Sequence, residues 1–139
     1  MDLRPYAPAD EEAVVELWRR CELTRAWNDP RKDIRRKLTT QPELFLVGEF
    51  EGAIIATAMA GYDGHRGWVN YLAVAPEHRS KGYGRLLMRH VEEQLVARGC
   101  PKLNIQVRNG NREALEFYRK IGYSVDETVS LGKRLIPDR

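Results

Sequence analysis

Hydrophobic side chains recur at the three-four spacing of a helix face at Val14, Leu17, Trp18 and Cys21, and Asp10 stands ahead of them as a candidate N-cap with acids in the first turn. An amphipathic helix is predicted from about residue 10 to 22. A loop at Trp27-Asn28-Asp29-Pro30 leads into a second, shorter helix, with Asp29 as cap, Pro30 at the first position and Ile34 and Leu38 on the apolar side. The period then changes to alternation. Residues 44–50 and 53–62 read as strands joined at Glu51-Gly52, an acid-glycine pair suited to a tight hairpin, and a second reversal at 63–67 leads into a strand over 68–75. Successive strands with short turns pair antiparallel. Helical spacing returns over 83–98, burying Leu87, Val91 and Leu95, and stops at Gly99 with Pro101 behind it. Residues 103–107 alternate again, and a helix from Asn111 puts Ala114, Phe117, Tyr118 and Ile121 on one side before Gly122. Short strands at 3–6, 123–125 and 128–135 complete the set. The predicted fold class is α+β: a mixed, mostly antiparallel sheet of roughly six to seven strands with about four helices on both faces, in a single domain.

Composition narrows this picture. The chain has 139 residues, 42% of them hydrophobic, enough for one domain with a real core. It contains no apolar run long enough to span a bilayer and no hydrophobic leader, so a soluble cytoplasmic protein without a membrane partner is expected. Cys21 and Cys100 form no CxxC pair, and His65, His78 and His90 show no ligand spacing, so neither a disulfide scaffold nor a metal is expected. The net charge of +3 comes from Lys and Arg spread along the chain, which favours a solvated mixed-charge surface over a nucleic-acid footprint. The local positive charge at Arg79, Lys81 and Arg85 is better explained by a phosphorylated ligand.

Candidate chemistry lies between the strand at 68–75 and the helix at 83–98. Pro76 cannot donate to a ladder and ends the strand, and Arg79-Ser80-Lys81-Gly82-Tyr83-Gly84 follows. Gly82 and Gly84 have no Cβ to obstruct a bound group, so successive N–H groups of this loop can face one small volume. They do so where a helix begins, with unpaired donors and the positive end of its dipole. A phosphate or pyrophosphate suits such a place. The dinucleotide fingerprint is not met, because Leu87 stands three after Gly84, and neither is the Walker pattern, because Arg85 and Leu86 follow Gly84. The bland alternative is a flexible strand-to-helix turn.

Arg79-Ser80-Lys81-Gly82-Tyr83-Gly84 resembles the Arg/Gln-x-x-Gly-x-Gly/Ala pyrophosphate loop of the GNAT acyl-CoA N-acyltransferase superfamily. Asn111-Arg-Glu-Ala114-Leu-Glu-Phe117-Tyr118-Arg-Lys-Ile-Gly122-Tyr123 resembles that family's Asn-x-x-Ala-x-x-Phe/Leu-Tyr-x-x-x-Gly-Phe/Tyr segment, and the element order is similar over essentially the whole chain. The resemblance implies the GNAT fold and an acetyl-CoA-dependent N-acetyltransferase, in which a primary amine of a small molecule or peptide attacks the thioester directly. It implies that Leu72, Ala73 and Val74 lie on a splayed strand pairing with the pantetheine arm, with the Val74 N–H facing the thioester oxygen. Arg79, Ser80, Lys81, Gly82, Tyr83 and Gly84 would hold the pyrophosphate, and Asn111 would bond the cofactor near its sulfur end. Tyr118 would reach that sulfur and act as the catalytic group, protonating the leaving thiolate. With reference values near 10 for the phenol and 8.5 for a thiol, full transfer is uphill by about 1.5 units, or roughly 2 kcal/mol.

The sequence departs from many relatives in one respect. They place a Glu on the strand before the loop, where this chain has Trp68-Val69-Asn70-Tyr71. Glu49, Asp63, His65 or a chain of waters are the substitutes for a base, although His65 next to Asp63 also reads as a turn residue. Trp27 reads as a core aromatic bracing the first two helices or as an acceptor-pocket wall. Asp29, Asp63 and Arg66 either line that pocket or only pack and cap. Two readings from other classes stand beside the enzyme: an acyl-CoA-binding regulator with little or no catalysis, and a basic nucleic-acid-binding module. Whether the chain forms a homodimer is left open.

Overall fold

The computed structural model describes residues 1–138. Its five strands follow one another across the sheet in chain order: β1 (Asp2–Pro5), β2 (Phe45–Phe50), β3 (Ala53–Tyr62), β4 (Gly67–Val74) and β5 (Leu103–Asn104). The first three pairings are antiparallel and β4 with β5 is parallel, so the sheet is mixed and mostly antiparallel. The β2–β3 hairpin turns at Glu51 and Gly52, both left-handed with φ of 50° and 79°, the conformation that a two-residue loop between right-twisted strands requires.

Four α-helices accompany these strands: α1 (Glu11–Arg20) and α2 (Pro30–Leu38) between β1 and β2, α3 (Tyr83–Ala97) between β4 and β5, and α4 (Arg112–Lys120) after β5. Asp29 caps α2 as its sequence position requires, its carboxylate accepting the N–H groups of Arg31 at 2.9 Å and Lys32 at 3.4 Å. Pro30 opens that helix, where a missing N–H costs nothing. Gly99, at φ 80°, follows the end of α3.

Helices cover both faces of the sheet. Alternate residues of a strand face opposite sides, and on the side of Thr57 stands Trp18 of α1, fully buried, its indole N–H donating to the Thr57 hydroxyl at 2.8 Å. Lys37 of α2 lies over Gly61 on that same side, its Nζ 3.4 Å from where a Cβ would stand. On the other side α3 packs so closely against β4 that a Cβ at Gly67 would come within 2.9 Å of both Leu95 Cδ1 and Cys100 Sγ. Glycine is needed there to let the helix approach. The first helix is tied to β1 and β2 by charge: Arg4 donates to Asp10 at 2.7 and 2.9 Å and to Glu49 at 2.7 and 3.2 Å.

Met1–Ile105 together with Asp138 form one compact unit, and Gln106–Pro137 a second. The first holds the whole sheet, α1 to α3 and a core of Val14, Trp18, Phe45, Val47, Ala58, Leu87 and Val91. The second holds α4 and the chain on either side of it.

Three expectations need correction. The sheet has five strands rather than six or seven, because residues 123–125 and 128–135 form none. Within their unit no other extended segment offers a ladder among the described residues, and Val125, Val129, Leu131 and Leu135 are 66 to 91% exposed, so alternation there buys no burial. The strand expected over 103–107 is only Leu103–Asn104, since pairing with β4 ends at Trp68. Trp27 is 60% exposed and so is not a core aromatic; Trp18 fills that role.

Candidate active site

The site begins with a fault in β4. Asn70 is opposite Met59, but Ala73 is opposite Thr57, so β4 carries one residue more than β3 over that interval, a β-bulge. Tyr71 takes up the extra length with φ 52°, a left-handed conformation that costs a side-chain-bearing residue on the order of 1 kcal/mol. On the far edge, β5 pairs only with Gly67 and Trp68, so among the described residues β4 runs on from Val69 to Val74 with that edge open.

Register decides which groups face the opening. The Ala75 N–H donates to the Ile55 carbonyl at 2.8 Å, which makes Ala75 and, two residues back, Ala73 members of hydrogen-bonded pairs with β3. Val74, opposite Ala56, is the alternate member, so its N–H and C=O point away from β3 toward the open edge. Its carbonyl is already engaged: the Arg79 Nε–H donates to it at 3.1 Å and the Cys21 thiol lies 3.4 Å away. The N–H is the group that faces the gap.

After a short 3-10 turn over Pro76–His78 comes an exposed loop in which Ser80 and Gly82 are both left-handed, at φ 64° and 82°. These two turns fold the chain back so that Gly82 becomes the N-cap of α3. It brings no side-chain cap, and the first turn of α3 contains no acid. A Cβ placed on Gly82 would meet nothing within 4 Å, so the space before the helix is open. Donors, dipole and the nearby Arg79 and Lys81 therefore favour an anion. Glu77, the acid that precedes this loop in the sequence, is ion-paired with Arg20 of α1.

The second unit carries the other two sequence-derived residues. Asn111 is the N-cap of α4, its Oδ1 accepting the Ala114 N–H at 3.1 Å, which leaves its amide NH2 as the group available to a ligand. Tyr118 is half-buried, with Phe117 and Tyr123 edge-on to its ring at 5.1 and 5.9 Å. Burial pushes its phenol up to about 12.

Two of the candidate bases, Glu49 and Asp63, are engaged. Glu49 is held by Arg4, and Asp63 accepts the N–H groups of His65 at 2.8 Å and Arg66 at 2.7 Å. Those two backbone bonds hold the Asp63 carboxyl below its ordinary value, making it a weaker base, and His65 is an exposed turn residue. Asp29 is spent on capping. No acid stands on β4 itself.

Sequence reasoning missed the side chains that hold the bulge. The Tyr71 ring stacks on Trp18 at 3.8 Å and 14°, its hydroxyl donates to Asp33 Oδ2 at 2.7 Å and accepts from Asn28 Nδ2 at 2.9 Å, and its carbonyl accepts from the Thr57 hydroxyl at 2.8 Å. The available signal was weak, a Trp on the inner face of α1 and a Tyr just before the apolar end of β4.

Comparison with known proteins agrees with this geometry. The acetyltransferase (GNAT) family profile matches residues 12–123. An acetyltransferase of Yersinia enterocolitica is 50% identical over 139 residues, spanning 100% of this chain and 99% of its own. The crystal structure of PaiA N-acetyltransferase from Thermoplasma acidophilum in complex with coenzyme A superposes with a TM-score of 0.81 at 18% identity, covering 92% of each chain. That of aminoglycoside antibiotic 6'-N-acetyltransferase AAC(6')-IG from Acinetobacter haemolyticus gives 0.78 at 19%, covering 98% of this chain and 99% of that one. An open β4 edge, a bulge before it and an uncapped helix behind it are thus found in a chain whose relatives are acetyltransferases, and the chain belongs to the GNAT acetyltransferase family.

Proposed function

We propose that this acetyltransferase uses acetyl-CoA and transfers the acetyl group to a primary amine of a small molecule or peptide. The observation that carries the reading is the pairing of two features in one compact unit: the open edge of β4 at Leu72, Ala73 and Val74, and the uncapped start of α3 behind the left-handed turns at Ser80 and Gly82. The residues present fit the cofactor. Arg79, Ser80, Lys81, Gly82, Tyr83 and Gly84 would hold the pyrophosphate, and the free edge of β4 would pair with the amide groups of the pantetheine arm.

Acetyl-CoA would supply an activated thioester carbonyl, which a neutral amine attacks with loss of the CoA thiol. The chain's part is to stabilise charge. The Val74 N–H is the donor for the developing oxygen charge, and removing such a donor typically costs about 3 kcal/mol of barrier. By the resemblance, Tyr118 would donate a hydrogen bond to the departing sulfur, and Asn111 would offer its amide to the cofactor. Because burial raises the phenol, complete proton transfer to a thiolate near 8.5 is more uphill than the roughly 2 kcal/mol that reference values give. Tyr118 would therefore act by donating a hydrogen bond as charge builds, keeping its own proton, and the proton that the amine gives up to water would be returned by water to the CoA sulfur.

With no acid on β4, the attacking amine loses its proton to water. An α-amino group is neutral in about a tenth of molecules near neutral pH, a lysine side chain in fewer than about one in a thousand. The favoured acceptor thus carries an amine of α-amino basicity. The test is release of CoA thiol from acetyl-CoA with a panel of amines. Acceptor-dependent release is expected, faster with α-amines than with Nε-amines, and Tyr118→Phe is expected to lower kcat about ten- to a hundredfold with little change in the KM for acetyl-CoA. The absence of an acid on β4 favours a second reading, an acyl-CoA-binding regulator. Tight CoA binding without release to any amine in the panel would establish that one in its place.

A further inference from the structure

The bulge in β4 is held by a side chain that has no conformational reason to be there. Tyr71 adopts φ 52° without being Gly, Asn or Asp, so its neighbours have to hold it. Three groups do. Its carbonyl accepts from Thr57 Oγ1, which in turn accepts from the indole of Trp18, each at 2.8 Å. Its ring lies against that same indole at 3.8 Å. Its hydroxyl reaches across to the segment preceding and opening α2, donating to Asp33 and accepting from Asn28.

That distal anchor is itself fixed. Asn28 donates to Asp33 as well as to the phenol, and Arg36 donates to the other Asp33 oxygen at 3.0 Å. Arg36 is bound in turn by Asp138, whose carboxylate also accepts the Asp29 N–H at 2.7 Å. The phenol thus ends in a cage built by α2 and its cap. The residues immediately after Tyr71 are Leu72, Ala73 and Val74, whose outward-facing groups depend on where the bulge falls. A shift of one residue would turn the Val74 N–H back toward β3 and present Ala73 to the gap instead.

We infer that Tyr71, through its hydroxyl bonds to Asp33 and Asn28, is the positioning residue that sets the register of the open β4 edge and so aims the outward-facing backbone groups after it, the Val74 N–H among them, at the pantetheine arm of the cofactor. This rests on the proposed use of acetyl-CoA. It adds that a chain segment outside the phosphate loop determines how the arm, and not the nucleotide end, is held.

The experiment separates the two ends of the cofactor. Binding of CoA and of ADP, which has the diphosphate without the pantetheine arm, is measured by ligand-observed NMR for the full chain and for Tyr71→Phe, Asn28→Ala, Asp33→Ala and Asp33→Asn. Tyr71→Phe keeps the stack on Trp18 and loses only the hydroxyl. It is expected to weaken CoA about tenfold while leaving ADP within about twofold, with Asn28→Ala and Asp33→Ala behaving alike. Asp33→Asn still offers the phenol an oxygen and is expected to retain most of the CoA affinity. Amide shifts of residues 72–74 in the ligand-free protein are expected to move in the weakened variants and not in Asp33→Asn. Equal loss of CoA and ADP binding, or no loss of either, would overturn the inference while leaving the proposed function standing. A wild-type chain that binds neither ligand would overturn both. If Tyr71→Phe does not fold, Asn28→Ala carries the same comparison.

Discussion

Asp10 shows how much one buried carboxylate contributes in this chain. It is 8% exposed, takes both terminal nitrogens of Arg4 and accepts the Ala7 N–H at 2.8 Å. The Arg4 guanidinium, and then the Ala7 bond, hold its carboxyl below the ordinary 3.8. The unfolded chain binds that proton more readily, so the stabilisation is complete above the unfolded value and is lost as pH falls through the lower folded one. Asp10→Asn is expected to cost about 2 kcal/mol near neutral pH in urea titrations. The difference from wild type should shrink below about pH 4; a difference that persists there would mean the ion pair is not its source. His78 makes the opposite case. Its Nδ1 is buried without a hydrogen-bond partner, and its ring sits against Phe50 at 5.3 Å and Tyr83 at 6.2 Å. An orphaned polar atom among aromatic rings is a cost, so His78→Phe is expected to be neutral or stabilising by up to about 1 kcal/mol in thermal melts. A clear loss of stability would show that the nitrogen has a role in the folded chain. Tyr71 is the residue that the sequence could not disclose, because a left-handed tyrosine is fixed by Trp18, Thr57 and Asp33, contacts that exist only once the strands and helices have met.

Elements were legible wherever periodicity and punctuation agreed. The second helix has both, Asp29 before Pro30 and Ile34 on the inner face, and it forms where they place it. Asp29→Ala removes the acceptor for two N–H groups and is expected to lower stability by about 1 kcal/mol, with Asp29→Ser recovering most of it. Retention of full stability by the alanine variant would mean that Pro30 and packing alone start the helix. Strands β2 to β4 were legible for the same reason, since acid-glycine turns flank runs of buried apolar residues. Residues 128–135 show where alternation misleads. Val129, Leu131 and Leu135 stand at strand-like spacing, but a strand needs a partner for its backbone groups, and sequence spacing says nothing about whether one is alongside. The bulge falls in the same class: alternation through Val69, Tyr71 and Ala73 reads as one uninterrupted face, whereas the register slips between Asn70 and Ala73 and carries Tyr71 to the α1 side.

At the scale of the whole molecule, the loop proposed to hold the pyrophosphate was the most legible part of the candidate site. Its chemistry depends on glycine, basic residues and the start of a helix, all of which a sequence displays. What lies beside it, the open β4 edge, depends on β5 pairing for only two residues before the strands part, which no local pattern encodes. The central claim is that main-chain amides of the loop and of this edge together receive the cofactor. Titration of isotopically labelled protein with CoA, followed by backbone amide shifts, tests it most directly. The expected result is that the amides of residues 79–84 and 72–74 move most and saturate at one common concentration. The largest shifts appearing elsewhere, with these amides unmoved, would contradict it.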